Sequence, residues 1–234
     1  MREPQYQFLL DIEKQEGLRN LGLMTSQLYR DDPKHLVFQL ARYKFASKML
    51  AGLDHVLEIG CGDGFSTRLI AQTVQRITSI DFDPVFVEHA KQVNFHDPRM
   101  TFLHHDICVD GPLKQRFDGA FCCDVIEHIL PRDEDHFVRN IMRSLKSDGV
   151  LIVGTPSLES QIYASPPSKA GHVNCKRAPE LKALMQKYFR NVFIFSMNDE
   201  VVHTGFTGMA HYLFALCCYP RPLPAKTIRK RAQR

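Results

Sequence analysis

The sequence predicts an α/β protein built on a doubly wound, parallel sheet. Short apolar runs alternate with amphipathic stretches, the pattern of strands buried on both faces and joined by helices. A glycine-rich turn, Gly60-Cys61-Gly62-Asp63-Gly64, falls between the first such strand and the helix after it. An acid, Asp81, closes the second strand. In a sheet of this kind ligands sit beyond the carboxyl ends of the strands, so each residue that follows a strand is a candidate.

The elements follow in order. Residues 3–30 mix apolar and charged side chains, with Phe8, Leu9 and Ile12 at helical spacing. Asp32-Pro33 supplies an N-cap acid and a first-turn proline, and Phe38, Ala41, Phe45 and Met49 predict an amphipathic helix ending near Gly52. Strands are predicted at 55–59, 76–80, 100–104, 117–123, 150–153, 192–195 and 209–217, seven in all. Helices are predicted over 65–74, 84–93, 133–145 and 177–189. Asp83-Pro84 opens the second of these, and Asp148-Gly149 follows the third as its stop. The chain thus divides into an N-terminal helical cap (1–52), an α/β domain (53–220) and a basic tail (221–234).

Composition narrows the function. The 234 residues are 44% hydrophobic and 24% charged, an ordinary globular balance. Thirty Lys+Arg against 26 Asp+Glu leave +4, too little to argue for nucleic-acid or membrane binding. Lys226, Arg229, Lys230, Arg231 and Arg234 concentrate the excess at the end of the tail, which reads as a solvated terminus. No run reaches the roughly 20 apolar residues of a membrane span. Seven cysteines include the adjacent pairs Cys122-Cys123 and Cys217-Cys218. Neighbours in a strand point to opposite faces, so these read as reduced thiols in a buried sheet, and the expected setting is the cytoplasm.

The chemistry concentrates after the strands. Glycines in the 60–64 turn let the backbone approach a ligand. Asp81, 21 residues after Gly60, can accept both hydroxyls of a ribose. Asp106 and Ile107 follow strand three, where an acid and a small apolar residue can hold an adenine edge and face. Asp124 follows strand four, with Glu127 and His128 close behind. A nicotinamide dinucleotide is a poor fit, since its fingerprint needs the third glycine one residue later, where Phe65 would block close helix packing.

These landmarks resemble the class I S-adenosylmethionine-dependent methyltransferases. The resemblance spans about residues 53–218 and rests on Glu58-x-Gly60-x-Gly62-x-Gly64, Asp81, Asp106, Asp124-Val125-Ile126-Glu127-His128 and Leu145-Lys146-Ser147-Asp148-Gly149. It implies a Rossmann-like sheet whose last strand is antiparallel, and S-adenosylmethionine as cofactor. It implies that Glu58, Gly60, Cys61 and Gly62 surround the methionine part, that Asp81 binds the ribose with Phe82 beside it, that Asp106 and Ile107 contact the adenine, and that Asp124 lies at the methionine end. The Asp124–His128 stretch is also similar to the Glu-x-x-Glu-His motif of metal-dependent small-RNA terminal 2′-O-methyltransferases and of ubiquinone-pathway O-methyltransferases. Asp124 is one methylene shorter than the glutamate of that motif, so the expected site has no metal and uses His128 and His172 as catalytic groups. The expected acceptor is a small molecule methylated on oxygen, in a pocket lined by the N-terminal helices, His128 and the 155–176 segment, with 198–208 as a second flexible wall. An RNA or other macromolecular acceptor, and a non-catalytic cofactor-binding module, are the alternatives.

Overall fold

The computed structural model describes residues 2–222. The basic cluster from Lys226 onward lies outside the described residues. Three helices come first, α1 (Gln7–Glu16), α2 (Leu23–Asp31) and α3 (Pro33–Met49). The α/β part follows as β1 (His55–Ile59), α4 (Thr67–Ala71), β2 (Arg76–Asp81), α5 (Pro84–Asn94), β3 (Met100–His104), β4 (Phe117–Cys123), α6 (Glu134–Ser144), β5 (Leu145–Pro156), α7 (Pro166–Gly171), α8 (Ala178–Gln186), β6 (Phe189–Asn198), β7 (Val201–His203) and β8 (Tyr212–Pro220).

The expected proline-led helix starts are present. Asp32 caps α3 by accepting from the His35 amide, and Asp83 caps α5 by accepting from the Val85 amide at 2.8 Å.

The eight strands run β3-β2-β1-β4-β5-β8-β6-β7 across the sheet. The first five are parallel, and β8 is antiparallel to both β5 and β6. The eighth strand, missed in the sequence, is β7: residues 198–208 are not a loose wall but an edge hairpin on β6, with the His203 ring paired to Asn198 Oδ1 at 3.0 Å. The fifth strand is also longer than its β-branched centre indicated, and α8 ends early because Phe189 already enters β6.

Two cores flank the sheet. One packs Phe137, Val138 and Ile141 of α6 and Leu181 and Met185 of α8 on Leu57, Ala120, Cys122 and Leu151. The other packs Tyr43 and Ala46 of α3, Leu50 just after it, Ile70 of α4 and Ala90 of α5 on Val56, Ile77, Phe121, Cys123 and Ile152. Alternate residues of β4 serve opposite cores, so Cys122 and Cys123 point apart, and all seven cysteines are free thiols.

The face of α3 differs from the expected stripe. Leu36, Tyr43, Ala46 and Leu50 are buried, whereas Met49 is exposed. Phe45 lies on the flank, its ring 4.5 Å from that of Phe214. The helix is apolar around much of its circumference, so periodicity alone did not choose the buried side. Tyr6, Phe8 and Tyr29 are likewise exposed.

Phe137 is fully buried at the centre of the α6 core. Phe137→Ala is expected to lower unfolding free energy by about 3–5 kcal/mol, read as a reduced urea midpoint at unchanged slope. A loss below about 1 kcal/mol would show that this core collapses around the cavity.

Candidate functional site

Strands β2 and β3 lie on one side of β1, and β4 and β5 lie on the other. The connections therefore diverge between β1 and β4, and a crevice opens at their carboxyl ends. The glycine turn after β1 forms one lip. Gly60 has φ +76°, and a Cβ there would run into the Val125 side chain from the β4 side. The turn is fastened from below by Asp81, whose Oδ2 accepts from the Gly62 amide at 2.9 Å and whose Oδ1 accepts from the Asp83 amide at 3.0 Å. Asp81 is buried beneath the turn and Phe82 beside it is exposed, and neither lines the cleft between the turn and the helical cap.

Glu58 occupies a different place from the one the resemblance implied. It is fully buried under the turn, accepts from Thr67 Oγ1 at 2.7 Å and Ser79 Oγ at 2.6 Å, and does not line the cleft. Burial pushes its carboxyl pKa up, and the two hydroxyls oppose that shift. Asp106 accepts from the Cys108 amide at 2.8 Å and shapes the turn after β3, while Ile107 is buried in the α6 core.

The helical cap supplies the opposite wall. Its attachment was not visible in the sequence. Asp63 accepts from the Thr25 amide at 2.7 Å and from Thr25 Oγ1 at 3.1 Å, and so caps α2 from 38 residues away. Gly22 permits this approach: its φ is +91°, and a Cβ there would lie 2.6 Å from the Asp63 carboxylate. A second missed residue is Arg42 of α3. Its Nη1 donates to both oxygens of Asp124 at 2.9 Å, and its guanidinium lies 4.1 Å from the Tyr212 ring centre. Asp124 itself has φ +60°, a strained conformation for a residue with a side chain and one common at functional sites.

The cleft between these walls has a volume of about 570 Å³, within the usual range for small-ligand sites. It brings together Gly60, Cys61, Gly62, Asp124, His128 and His172 from the expected set, with Gln39, Arg42 and Tyr43 of α3. The 198–208 hairpin takes no part in it.

At the β4 end three side chains converge. Glu127, His128 and His172 each place one ligand atom within 4.8 Å of the others. His128 Nδ1 pairs with the Gly171 carbonyl at 3.0 Å, and His172 Nδ1 with Gln161 Oε1 at 2.8 Å. Both partners are oxygens, so each Nδ1 donates, and each Nε2 has no partner among the described residues. Glu127 is fully buried and accepts from Thr155 Oγ1 at 3.1 Å, while its Oε1 has no partner. Burial and the charge of Asp124 push the Glu127 carboxyl up to about 8. Burial and His128 hold His172 below the usual imidazole value. The segment bearing His172 is anchored on both sides: the Val173 and Asn174 amides donate to the Glu127 carbonyl, and Lys176 bridges Asn174 and Glu134.

A glycine turn under a carboxylate-bearing second strand, facing an open switch point, defines a nucleotide-type cofactor domain. Residues 57–153 match the family described as "Methyltransferase domain". A probable S-adenosylmethionine-dependent methyltransferase of Mycolicibacterium smegmatis is 33% identical over 149 residues, which are 62% of this chain and 54% of that protein. The mitochondrial ubiquinone biosynthesis O-methyltransferase of Schizosaccharomyces pombe is 32% identical over 107 residues, 44% of this chain and 38% of that one. The chain spans about half the length of the curated relatives it matches. Among solved structures, the N-methyltransferase NodS of Bradyrhizobium japonicum bound to S-adenosyl-L-homocysteine superposes with a TM-score of 0.60 at 20% identity, covering 82% of this chain and 91% of that one. Residues 57–153 are thus similar to a methyltransferase domain, and the described sheet has the Rossmann-like fold of class I methyltransferase structures.

Asp81→Ala removes the carboxylate that fastens the turn. It is expected to weaken binding of S-adenosylhomocysteine about 10–100-fold in calorimetry while the folded circular-dichroism spectrum persists. Native affinity in the folded variant would show that the ribose is held elsewhere.

Proposed function

We propose that this protein transfers the methyl group of S-adenosylmethionine to a hydroxyl oxygen of a small-molecule acceptor, bound against Glu127, His128 and His172. The observation that supports the reading is the convergence of two imidazoles and a buried carboxylate at the mouth of β4. Methyl transfer from a sulfonium needs in-line alignment, and a hydroxyl acceptor must in addition lose a proton. An amine acceptor would need no such array if it entered uncharged. Asp31, Gln27 and Gln39 line the cleft on the cap side, and an acidic residue there disfavours a phosphate backbone. The kinship with ubiquinone biosynthesis O-methyltransferases points the same way.

The three converging groups also fit a divalent cation. Two imidazoles whose Nδ1 is fixed on an oxygen acceptor are a common arrangement of metal-binding histidines. The unpartnered Glu127 Oε1 is a third donor of the right type. Asp124 is not part of the set, because Arg42 holds its carboxylate. Three protein ligands leave coordination positions open, as in catalytic rather than structural sites. A bound cation would lower the pKa of an acceptor hydroxyl. The geometry favours this reading over the metal-free site expected from the sequence. In it, Glu127, His128 and His172 hold the ion, Gln161 and the Gly171 carbonyl keep the rings oriented, and the cap covers the reacting atoms from water.

His128→Ala and His172→Ala are each expected to lower kcat by about 10²-fold or more against phenolic, catecholic and sugar hydroxyl acceptors. Their affinity for S-adenosylhomocysteine should stay within about threefold of native, since neither residue contributes to the glycine turn. Dialysis against a chelator should abolish turnover, and Mn²⁺, Zn²⁺ or Mg²⁺ should restore it. Transfer to amines alone would overturn the oxygen assignment. Full activity without any divalent ion would return the two histidines to general-base or orienting roles.

A further inference from the structure

The helical cap presents a polar wall to the cleft. Gln27 and Asp31 of α2 and His35 and Gln39 of α3 line it. Asp31 is held in place: Gln27 Nε2 donates to its Oδ2, and Arg30 Nε donates to its Oδ1 at 3.0 Å. An ionised carboxylate has about four acceptor sites, so both oxygens keep lone pairs to offer. Gln39 Nε2 donates to Ser66 Oγ at 3.2 Å, and its Oε1 accepts no bond among the described residues. Small-ligand clefts are ordinarily lined by apolar and aromatic side chains, and here that lining is sparse. Met24, Leu28 and Pro156 supply the aliphatic surface. Tyr43 is the one phenyl-type ring on the walls among the described residues, and it is buried, packed edge-on against Phe121 with ring centres 5.6 Å apart.

The charges on these walls are matched. Asp31 is paired with Arg30, Asp124 with Arg42 at 2.9 Å, and Asp63 is taken by the amide and hydroxyl of Thr25. Burial and Arg42 hold His35 below the usual imidazole value, which leaves it uncharged at neutral pH. A phosphorylated or carboxylate-bearing acceptor therefore meets no unpaired Lys or Arg on the walls among the described residues. An aryl acceptor has a different defect: closing over it strips water from Asp31, His35 and Gln39 and returns no partner, and a covered polar group without a partner is costly. Hydroxyls spread around a saturated ring answer these groups, because each one both donates and accepts. We propose that the acceptor is an uncharged sugar or similar polyol, with one hydroxyl held at Glu127, His128 and His172 and its other hydroxyls taken by Asp31, His35 and Gln39 of the cap. The proposal rests on the oxygen-methylation reading and adds the acceptor class to it.

The test offers native protein, S-adenosylmethionine and Mn²⁺ a panel of methyl hexosides and deoxyhexosides, the matching hexose phosphates, catechol, phenol and amino sugars, with the methylated atom identified by mass spectrometry and NMR. At least one neutral glycoside should be methylated on oxygen with kcat/KM about 10-fold or more above catechol, phenol and every phosphate. Asp31→Ala and Gln39→Leu should each raise KM for that glycoside about 10-fold, the effect falling chiefly on KM rather than kcat, with S-adenosylhomocysteine affinity within about threefold of native. Preference for catechol, phenol or a phosphate over every neutral glycoside overturns the proposal and leaves oxygen transfer standing, a result independent of how any variant folds. Methylation of nitrogen alone, or of no hydroxyl at all, overturns the oxygen reading and this inference with it. An unchanged glycoside KM in both variants, or a loss confined to S-adenosylhomocysteine binding, overturns the role given to the cap.

Discussion

The change of direction between β1 and β4 is the constraint on which the rest of the molecule depends. Neighbouring parallel strands whose crossovers depart to opposite sides cannot be covered by a single connection, so a gap is left at their carboxyl ends. The gap exposes backbone from two strand termini and collects whatever side chains follow them. In this chain those are the glycine turn from β1 and the Asp124–His128 stretch from β4. Asp81, at the end of the next strand, holds the glycine turn at that opening through its bond to the Gly62 amide. The cap helices close what the sheet topology leaves open.

The cap is held by buried charge as well as by apolar packing. Tyr43, Ala46 and Leu50 give α3 its apolar seat on Phe121 and Ile70. Asp63 and Asp124 then fix two further points, one on α2 and one on α3. A half-buried ion pair such as Arg42–Asp124 adds little net stability, because desolvation offsets most of the attraction. What it does specify is orientation: two polar partners with directional bonds allow one placement of α3 over the strands.

The sequence made the sheet legible because each parallel strand is a short apolar run and each turn after a strand carries a recognisable residue type. The site was legible where local spacing determines position, as with Gly60, Gly62 and Asp81. It failed where position depends on long-range geometry. Thr25 and Asp63 lie 38 residues apart, and Arg42 and Asp124 lie 82 apart, so no spacing rule connects them. The resemblance implied that Glu58 surrounds the methionine part, yet strand alternation turns it into the sheet against Thr67 and Ser79. The short β7 escaped notice because three residues carry too little alternation to stand out. His172 was recognised as a candidate and does meet His128, their ring centres 5.2 Å apart, because Glu127's backbone carbonyl gathers the loop that bears it.

The carboxylate of Asp63 has a consequence for motion. One oxygen, Oδ1, accepts from both Thr25 Oγ1 and the Phe65 amide, so the first turns of α2 and the glycine turn share a single anchor. Two segments hung on one anchor do not loosen independently. Lifting the cap strips a bond from the glycine turn, and ordering that turn raises the work needed to lift the cap. Movement of the cap and order in the glycine turn are thereby linked through one buried side chain.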